Sequence, residues 1–454
     1  MSARSRREMI KTLAGSGLAI VSVSTSKQTS AQTANDSRQL WEYETGGSVV
    51  SSPSIVDGDL YVGSDDSKVY ALDAATGEQR WQFETNDFVS SSPAVVRDVV
   101  FATEEWFPGR LFAMDAKTGE EYWQYEPGSL VYSSPTVYQG TVLVGSDGLH
   151  AVDATTGERE WRFRPDGFDW EEASNGVFRS SPVVVDGIAF VGNDGNNVYA
   201  IDVDNGDLVW RFESQSNVTK KENEVVSSPT VMNGTVFVGS MDGTLYALNA
   251  ETGDRQWTFD TGDGVWSSPT VTDGTVLFGS QDSHVYALDT VSGEKKWQFE
   301  TGDSVWSSPT VVGDTAVIGS TDGRLYALNK ETGDEKWRFD IGLNVYSSPT
   351  VVNGTAFVGT GGEGTLGDGS AKVLAIETDV EGSSEGSRVR QGALGHHHTW
   401  AESVEPFPAP GEQSEQDDGG TDDLLLPGAA AGVAGLGGIG YVLKRRLSRE
   451  GEGE

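Results

Sequence analysis

The sequence predicts an all-β fold, an eight-bladed β-propeller of four-stranded antiparallel blades. Two tracts that recur about every 40 residues indicate it. One is Ser-Ser-Pro, with its proline at Pro53, Pro93, Pro135, Pro182, Pro229, Pro269, Pro309 and Pro349. The other is a tryptophan followed two residues later by an aromatic residue, at Trp41, Trp81, Trp123, Trp161, Trp210, Trp257, Trp297 and Trp337. Each tract occurs eight times, which predicts eight blades.

Each repeat contains four β-rich runs separated by turns, and we name the predicted strands A to D in chain order. Asn233-Gly234 is typical of an A–B hairpin turn and Asp242-Gly243 of a B–C turn, because Asn, Asp and Gly tolerate positive φ. Aspartates in such turns also occur as calcium ligands. The alternating Asp-x-Asp-x-Asp loop of a calcium site does not accompany them, so turn chemistry accounts for them.

The two tracts are offset, and the offset predicts how the ring closes. Trp41 precedes the first Ser-Ser-Pro, whereas the last A–B–C set, from Pro349 to Ile376, has no tryptophan of its own after it. Strand D therefore comes first in the chain, around Trp41. We expect this N-terminal strand to pair with the C-terminal A, B and C strands, which closes a propeller over residues 38–379 and removes its free edges.

The N-terminus, residues 1–31, resembles a twin-arginine export signal. Arg6-Arg7 precedes a weakly apolar run from Thr12 to Val23, and a small residue, Ala31, precedes a plausible cleavage point. A basic leader without export function is the alternative. The resemblance implies export of the folded chain.

The C-terminal region predicts an anchored protein. Residues 380–423 are rich in Gly, Ser, Pro and acidic residues and predict a flexible stalk, in which His396 to His398 fit a solvated linker better than a metal site. Residues 424–443 carry no charge and would span roughly 30 Å as a helix, although a processed sorting segment is the alternative. Lys444-Arg445-Arg446 opens a tail, residues 444–454, that the positive-inside rule assigns to the cytoplasm. The propeller is then expected on the extracellular face.

Charge and cysteine content exclude several classes of protein. The formal net charge is −37, from 69 Asp and Glu against 32 Lys and Arg. Nucleic acid and anionic lipid surfaces would be repelled. The acidic residues are spread over every repeat, which is typical of a soluble surface in high salt and indicates a halophilic source. There is no cysteine, so neither disulfides nor thiolate metal sites are available.

The segment Ala71 to Trp81 carries a further pattern, A-x-D-x-x-x-G-x-x-x-W. It recurs from Ala113, Ala151, Ala200 and Ala287, and with Asn for Asp from Ala247 and Ala327. This pattern resembles the repeat of the pyrroloquinoline-quinone (PQQ) enzyme propellers and covers essentially the whole predicted propeller. The resemblance implies that the eight repeat tryptophans named above dock structurally between neighbouring blades.

The resemblance implies two functional classes. Quinoprotein dehydrogenases bind PQQ and Ca²⁺ on the propeller axis, often beneath a vicinal disulfide. Scaffold lipoproteins of outer-membrane β-barrel assembly have eight such blades and no cofactor. This chain has no cysteine and lacks the long inserts that enclose the enzymes' active site. The resemblance therefore favours a cofactor-free propeller, with a PQQ- and calcium-dependent dehydrogenase of alcohols or sugars as the alternative.

Departures from the repeat fall in residues 104–110, 164–178, 214–224 and 361–371, all of them predicted D–A or B–C loops. In a meander blade these loops share one face, which we call the decorated face. Variable loops on a rigid scaffold often bind ligands, although tolerated insertions explain them equally well. The candidate contact residues are Trp106, Asp169, Trp170, Glu171, Glu172, Lys220 and Lys221.

The residue before each Ser-Ser-Pro is expected at the channel mouth on the decorated face. Five of these residues are candidates for a ligand funnel suited to a flat or sugar-like ligand: Tyr132, Arg179, Trp266, Trp306 and Tyr346. Packing between blades is the alternative explanation of the aromatic residues.

The sequence thus predicts an exported, membrane-anchored propeller that acts as a binding or protein-interaction scaffold at the cell surface. We assign no catalytic residue, metal ligand or cofactor, and we expect a monomeric propeller with a protein, small-molecule or glycan ligand on the decorated face. An assembly factor for exported proteins and the PQQ-dependent dehydrogenase remain the alternatives.

Overall fold

The computed structural model describes residues 38–165, 176–214, 224–361 and 371–384. These residues form eight four-stranded sheets, and within each sheet the strands follow one another as an antiparallel meander. The predicted all-β, eight-bladed architecture is confirmed.

Strands A to D of the first seven blades follow the chain. Blade 1 contains β2 (Ser54–Val56), β3 (Asp59–Ser64), β4 (Lys68–Asp73) and β5 (Gln79–Glu84), and blade 2 contains β6 (Ala94–Val96), β7 (Val99–Glu104), β8 (Arg110–Asp115) and β9 (Glu121–Tyr125). Blade 3 contains β10 (Thr136–Tyr138), β11 (Thr141–Gly145), β12 (Leu149–Asp153) and β13 (Arg159–Phe163), and blade 4 contains β14 (Val183–Val185), β15 (Ile188–Gly192), β16 (Asn197–Asp202) and β17 (Leu208–Glu213). Blade 5 contains β18 (Thr230–Met232), β19 (Thr235–Gly239), β20 (Thr244–Asn249) and β21 (Arg255–Asp260), and blade 6 contains β22 (Thr270–Thr272), β23 (Thr275–Ser280), β24 (His284–Asp289) and β25 (Lys295–Glu300). Blade 7 contains β26 (Thr310–Val312), β27 (Thr315–Ser320), β28 (Arg324–Asn329) and β29 (Glu335–Asp340).

Blade 8 combines both ends of the propeller. Strands A to C are β30 (Thr350–Val352), β31 (Thr355–Gly359) and β32 (Lys372–Glu377), and strand D is β1 (Gln39–Glu44). Strand β1 pairs antiparallel to β32, with Trp41 opposite Ala375 and Glu44 opposite Lys372. The predicted closure is confirmed, and blade 8 presents no unpaired strand where the two ends of the propeller meet.

The hairpins have the conformations that their residues favour. Asn233 and Gly234 have φ values of 50° and 75° in the A–B turn of blade 5. In the following B–C turn, Asp242 Oδ1 accepts the N–H of Thr244 at 2.9 Å, and Oδ2 accepts the hydroxyl of Tyr246 at 2.7 Å. Both oxygens of this aspartate therefore serve its own hairpin.

The repeat tryptophans lie between neighbouring blades. The indole N–H of Trp297 donates to the backbone oxygen of Lys330 in blade 7 at 3.0 Å, and a Cβ added to Gly333 would lie 2.7 Å from the indole ring. Six more glycines stand in the same relation to a tryptophan of the preceding blade, namely Gly77, Gly119, Gly157, Gly206, Gly253 and Gly293. At Trp337 the Arg38 guanidinium lies over the ring instead, at 5.0 Å from its centroid. This contact belongs to the closing blade.

The hydrophobic core is divided among the junctions between blades. One buried cluster joins Leu277 and Trp297 of blade 6 to Ile318 and Tyr326 of blade 7. The short A strands of adjacent blades contact one another all round the ring and so enclose the axis. Their N-terminal ends open on the decorated face, and this arrangement positions the residues before Ser-Ser-Pro.

The described chain ends beneath strand β30, at the opposite end of the axis from the decorated face. Ser384 Oγ accepts the N–H of Val351 at 3.0 Å, and Ser383 Oγ accepts the N–H of Asn353, in the A–B turn, at 3.0 Å. The first residues of the predicted stalk therefore pack against blade 8.

The predicted leader, residues 424–443 and the three histidines lie outside the described residues. Within the described ranges, no helix has the length and apolar character needed to cross a membrane.

Candidate functional site

A cavity of about 470 Å³ opens at the decorated end of the axis. Its upper lining comes from the residue before each Ser-Ser-Pro, in ring order Val50, Ser90, Tyr132, Arg179, Val226, Trp266, Trp306 and Tyr346, together with Glu105. The structure thus brings all five residues of the predicted funnel into one cavity. We call this cavity the mouth.

A ring of serines surrounds the axis below these residues. The N–H of Ser52 donates to Ser92 Oγ of the next blade at 2.9 Å, and the same bond recurs at every junction until the N–H of Ser348 donates to Ser52 Oγ at 3.1 Å. A hydroxyl that accepts a hydrogen bond keeps its own proton to donate. The ring therefore links all eight blades and supplies hydroxyl donors to the cavity.

The first serine and the proline of each Ser-Ser-Pro explain why strand A takes this position. Ser51 Oγ accepts the N–H of Gly63 at 2.9 Å and donates to its carbonyl oxygen at 2.7 Å, which ties the start of strand A to strand B. Proline has no N–H, so it leaves no donor unpaired on the inner edge of the sheet. The carbonyl of Pro349 accepts the hydroxyl of Thr310 in the neighbouring blade at 2.5 Å.

Three consecutive blades contribute an aromatic arc to the mouth, which consists of Trp266, Trp306 and Tyr346. The two indoles stack with their ring centroids 4.8 Å apart and an interplanar angle of 25°. Tyr346 meets Trp306 edge-on, at 5.6 Å and 74°. Asn344 Nδ2 donates to the Tyr346 hydroxyl at 3.0 Å and orients the ring. The arc is a preformed wall for stacking against a flat or cationic group.

A polar arc of Ser90, Tyr132 and Arg179 faces the aromatic arc, because residues four blades apart lie across an eight-membered ring. The Arg179 guanidinium lies 4.4 Å from the centroid of the Tyr132 ring. Arg179 Nε also donates to Asp194 Oδ2 at 2.9 Å. The only arginine among the residues that precede Ser-Ser-Pro is therefore already engaged by a carboxylate.

The B–C hairpins add a second asymmetry. In each blade, a glycine lies at or near the end of strand B, except in blade 2, where Thr103 takes its place. The second residue after this position is acidic in blades 1 to 4, where it is Asp65, Glu105, Asp147 and Asp194. It is neutral in blades 5 to 8, where it is Met241, Gln281, Thr321 and Gly361. We call the first four residues the acidic half-ring. The acidic half-ring and the aromatic arc thus belong to opposite sides of the propeller.

Asp147 is the member of the acidic half-ring with the most charged partners. It forms ion pairs with Arg164 and Arg162, and His150 Nε2 lies 2.8 Å from its Oδ1. Burial, followed by repulsion from Arg162, lowers the pKa of His150 to about 3, so the histidine is neutral. With its Nδ1 2.8 Å from the Tyr125 hydroxyl, His150 fits as donor to Asp147 and acceptor from Tyr125. Asp147 is therefore committed to local structure.

Asp65 and Glu105 lie on either side of Ser90 in the chain order of the mouth, and neither forms an ion pair among the described residues. Ser90 Oγ donates to Asp65 Oδ1 at 3.0 Å, and Ser90 and Glu105 both line the cavity. Burial raises the pKa of both carboxyls, and neighbouring carboxylates raise them further, Asp66 acting on Asp65, and Asp65 and Asp87 acting on Glu105. The Ser90 hydroxyl donates its one proton to Asp65, and a carboxylate accepts several hydrogen bonds, so this pair has unused capacity to accept them.

Asp194, in the B–C hairpin of blade 4, forms an ion pair with Arg179. Burial raises the pKa of Asp194 to about 7 and outweighs the attraction of Arg179, while Glu224 raises it further. Its second oxygen, Oδ1, is buried and has no hydrogen-bond partner among the described residues.

Sequence reasoning did not single out Asp65, Glu105 or Asp194, although Glu105 lies in the variable segment 104–110. The signal was present in the alignment of the repeats, where the second residue after the glycine near the end of strand B, or after Thr103 in blade 2, changes from acidic to neutral halfway round the chain.

The structure describes one of the predicted contact residues. Trp106 lies in the B–C hairpin of blade 2, next to Glu105, with 52% of its surface exposed, and Phe107 beside it is 64% exposed. The hairpin is fixed at its base by an ion pair between Arg110 and Glu104. Asp169, Trp170, Glu171, Glu172, Lys220 and Lys221 lie outside the described residues.

The residues of the mouth allow a test of whether PQQ fits. PQQ is planar, which suits the aromatic arc, but it carries three carboxylates. These would meet Glu105, and Arg179 is already paired with Asp194. The described part of the chain contains no group of three or more His, Cys, Asp or Glu residues that would hold a metal ion. The charges of the described lining therefore suit a cation better than PQQ.

The fold resembles that of several solved structures. BamB from Moraxella catarrhalis superposes with a TM-score of 0.62 at 18% identity and covers 75% of this chain and 99% of its own. The quinohemoprotein alcohol dehydrogenase from Comamonas testosteroni gives 0.63 at 19% identity, covering 77% and 78%. The computationally designed protein Ika8 gives 0.63 at 15% identity, covering 75% and 100%. At these identities the similarity shows the fold alone.

The sequence profile of one family covers the whole propeller. It carries the description outer membrane protein assembly factor BamB and matches residues 4–126, 89–224, 145–298, 214–338 and 300–379 in overlapping segments. None of the curated proteins compared with the chain matches it. Because the matched segments extend over most of the sequence, the chain belongs to the PQQ-like repeat family described as outer membrane protein assembly factor BamB.

Proposed function

We propose that this protein is an exported, membrane-anchored scaffold that binds its ligand or partner at the mouth and the surrounding decorated face. One observation carries the proposal. The residues before Ser-Ser-Pro are the variable part of an otherwise repetitive inner wall, and they place an aromatic arc across from a polar arc. Ring closure does not require this asymmetry, because the serine ring already links the blades.

The described chain ends on the side of the propeller opposite the mouth. Ser384 packs beneath β30, at the opposite end of the axis from the mouth. In this proposal, residues 424–443 supply the membrane anchor. Export through the twin-arginine signal, residues 1–31, and an extracellular location are parts of the same proposal.

The exposed aromatic pair favours assembly of exported proteins as a second candidate function. Trp106 and Phe107 project from a hairpin whose base is fixed, and exposed aromatic residues are frequent anchors in protein interfaces. The family description, an outer membrane protein assembly factor, is consistent with such a role. The assembly function would use the same decorated face as the binding scaffold, but its partner would be an exported protein.

A dehydrogenase function is the alternative that the experiment must exclude. The purified full chain in detergent is incubated with PQQ and Ca²⁺, and dye reduction is followed with alcohols and sugars. We expect neither stoichiometric PQQ uptake nor turnover. Tight uptake with turnover would overturn the scaffold proposal.

A photo-crosslinking residue tests the face itself in the living cell. Placed at position 106, it should yield defined adducts with exported proteins or surface glycans. Placed at Tyr138, which lies beside the A–B turn on the opposite face, it should yield none. Equal adducts from both positions would contradict a specific decorated face.

A further inference from the structure

We infer that the mouth is a site for an organic cation, an amine or guanidinium on a flat or alkyl body. The cation would lie between the aromatic arc and the carboxylate of Glu105, which lines the mouth, and Asp65 would add negative charge from behind Ser90. The inference rests on the proposed binding function and adds the chemical class of the ligand. It is independent of whether that cation is a free molecule or a side chain of a partner.

The carboxylate side lacks a matching cation. The Ser90 hydroxyl donates its one proton to Asp65, and Glu105 lines the mouth. Asp66 and Asp87 add negative charge beside the pair, and the nearby guanidinium of Arg179 is held by Asp194 at 2.9 Å. Among the described residues, the charges next to Asp65 and Glu105 are therefore mostly negative. A ligand that brings one positive charge with several N–H donors satisfies this side.

The aromatic arc on the opposite side of the mouth favours an organic cation over an inorganic ion. Trp266 and Trp306 form a stacked pair, and Tyr346 extends it. An aromatic wall stabilises an organic cation through dispersion and through its quadrupole, whereas a hydrated metal ion gains little from it. The two sides together therefore require charge and an apolar body in one ligand.

The size and the base of the cavity agree with such a ligand. About 470 Å³ is within the range of small-molecule sites, roughly 300–1,000 Å³. The serine ring below supplies hydroxyls that bind polar substituents without adding charge. A neutral sugar would use the aromatic wall but leave the two carboxylates without a counter-charge. An anion would be repelled by them and by the net charge of −37.

The test uses a matched pair of ligands that share one ring system, tryptamine and its neutral analogue tryptophol. Calorimetric titration of the full chain in detergent should show tryptamine binding at least about tenfold more tightly, because only the amine can pair with a carboxylate. Added salt should reduce this preference.

Three variants locate the effect. Asp65→Asn with Glu105→Gln, which preserves size, should abolish the preference for tryptamine. Trp266→Ala with Trp306→Ala should weaken the binding of both ligands by about tenfold or more. Glu160→Gln, a carboxylate of the opposite face, should change neither. Thermal unfolding of each variant confirms that it is folded.

The outcomes separate this inference from the proposed function. Equal binding of the two ligands, abolished by the tryptophan substitutions, would overturn the cation assignment and leave the mouth as a binding site. A preference for tryptamine that survives D65N/E105Q would also overturn it. Binding of neither ligand would overturn it too, while the crosslinking experiment at position 106 would decide the scaffold function separately.

Discussion

Substitution of Gly333 by alanine tests how closely the repeat tryptophan packs against the neighbouring blade. The added Cβ would lie 2.7 Å from two atoms of the Trp297 ring, whereas carbon atoms in contact are about 3.5–4.0 Å apart. Trp297 has little room to move, because it is 8% exposed and its indole N–H is bonded to Lys330.

Two effects lower the free energy of unfolding of this variant, and they add. Gly333 has φ of 76°, and an L-residue with a Cβ loses about 1–2 kcal/mol in this region. Overpacking against a confined ring adds about 1–3 kcal/mol. We therefore expect Gly333→Ala to lower the free energy of unfolding by about 2–5 kcal/mol.

Gly274 provides the matched control. Its φ is 72°, and no atom lies within 4 Å of an added Cβ. Gly274→Ala should therefore show the backbone cost alone, about 1–2 kcal/mol. Urea unfolding of both variants measures the difference. Equal destabilisation would refute the close approach of Trp297 to Gly333.

Three further predictions concern the ring and the mouth. Ser308→Ala removes the acceptor of the Ser268 N–H, bonded at 2.9 Å, and should lower the free energy of unfolding by about 1–3 kcal/mol in urea titrations; an unchanged midpoint would contradict a role for the serine ring. Burial raises the pKa of Asp194 from 3.8 to about 7, so the folded state binds a proton that the unfolded chain has lost, and stability should decrease as pH rises through this window. Asp194→Asn should flatten that pH dependence in thermal melts, and a persistent slope of the same size would assign it to other groups. Deletion of residues 1–44 removes β1 and exposes the edge of β32, so the chain should aggregate in size-exclusion chromatography, whereas deletion of residues 1–37 should leave it monomeric.

The sequence was sufficient for the architecture because each blade repeats the same local signals. Ser-Ser-Pro marks strand A, Asn233-Gly234 marks a hairpin, and the offset of Trp41 predicts the closure that β1 and β32 form. The replacement of a docking glycine by the Arg38 guanidinium over Trp337 was not predictable. It arises only where the two ends of the propeller meet, so no other repeat shows it.

The sequence was sufficient to predict which residues line the mouth, but not their stacking or their pKa values. Trp266, Trp306 and Arg179 each precede a Ser-Ser-Pro, and this shared position was enough to place them around one channel. The stacking of the two indoles depends on the angle between adjacent blades, which no sequence pattern encodes. The raised pKa of Glu105 depends on burial and on Asp65 of another blade, and both follow from the closed ring.

Fluorine NMR of the full chain labelled with 5-fluorotryptophan tests the central claim, that ligands bind at the mouth while the repeat tryptophans are structural. The chain has 13 tryptophans, and single Trp→Phe variants assign their signals. Titration with tryptamine should shift the signals of Trp266 and Trp306 and leave those of the interblade residues Trp81, Trp210 and Trp297 unchanged. Shifts confined to interblade tryptophans, with Trp266 and Trp306 unaffected, would contradict the claim.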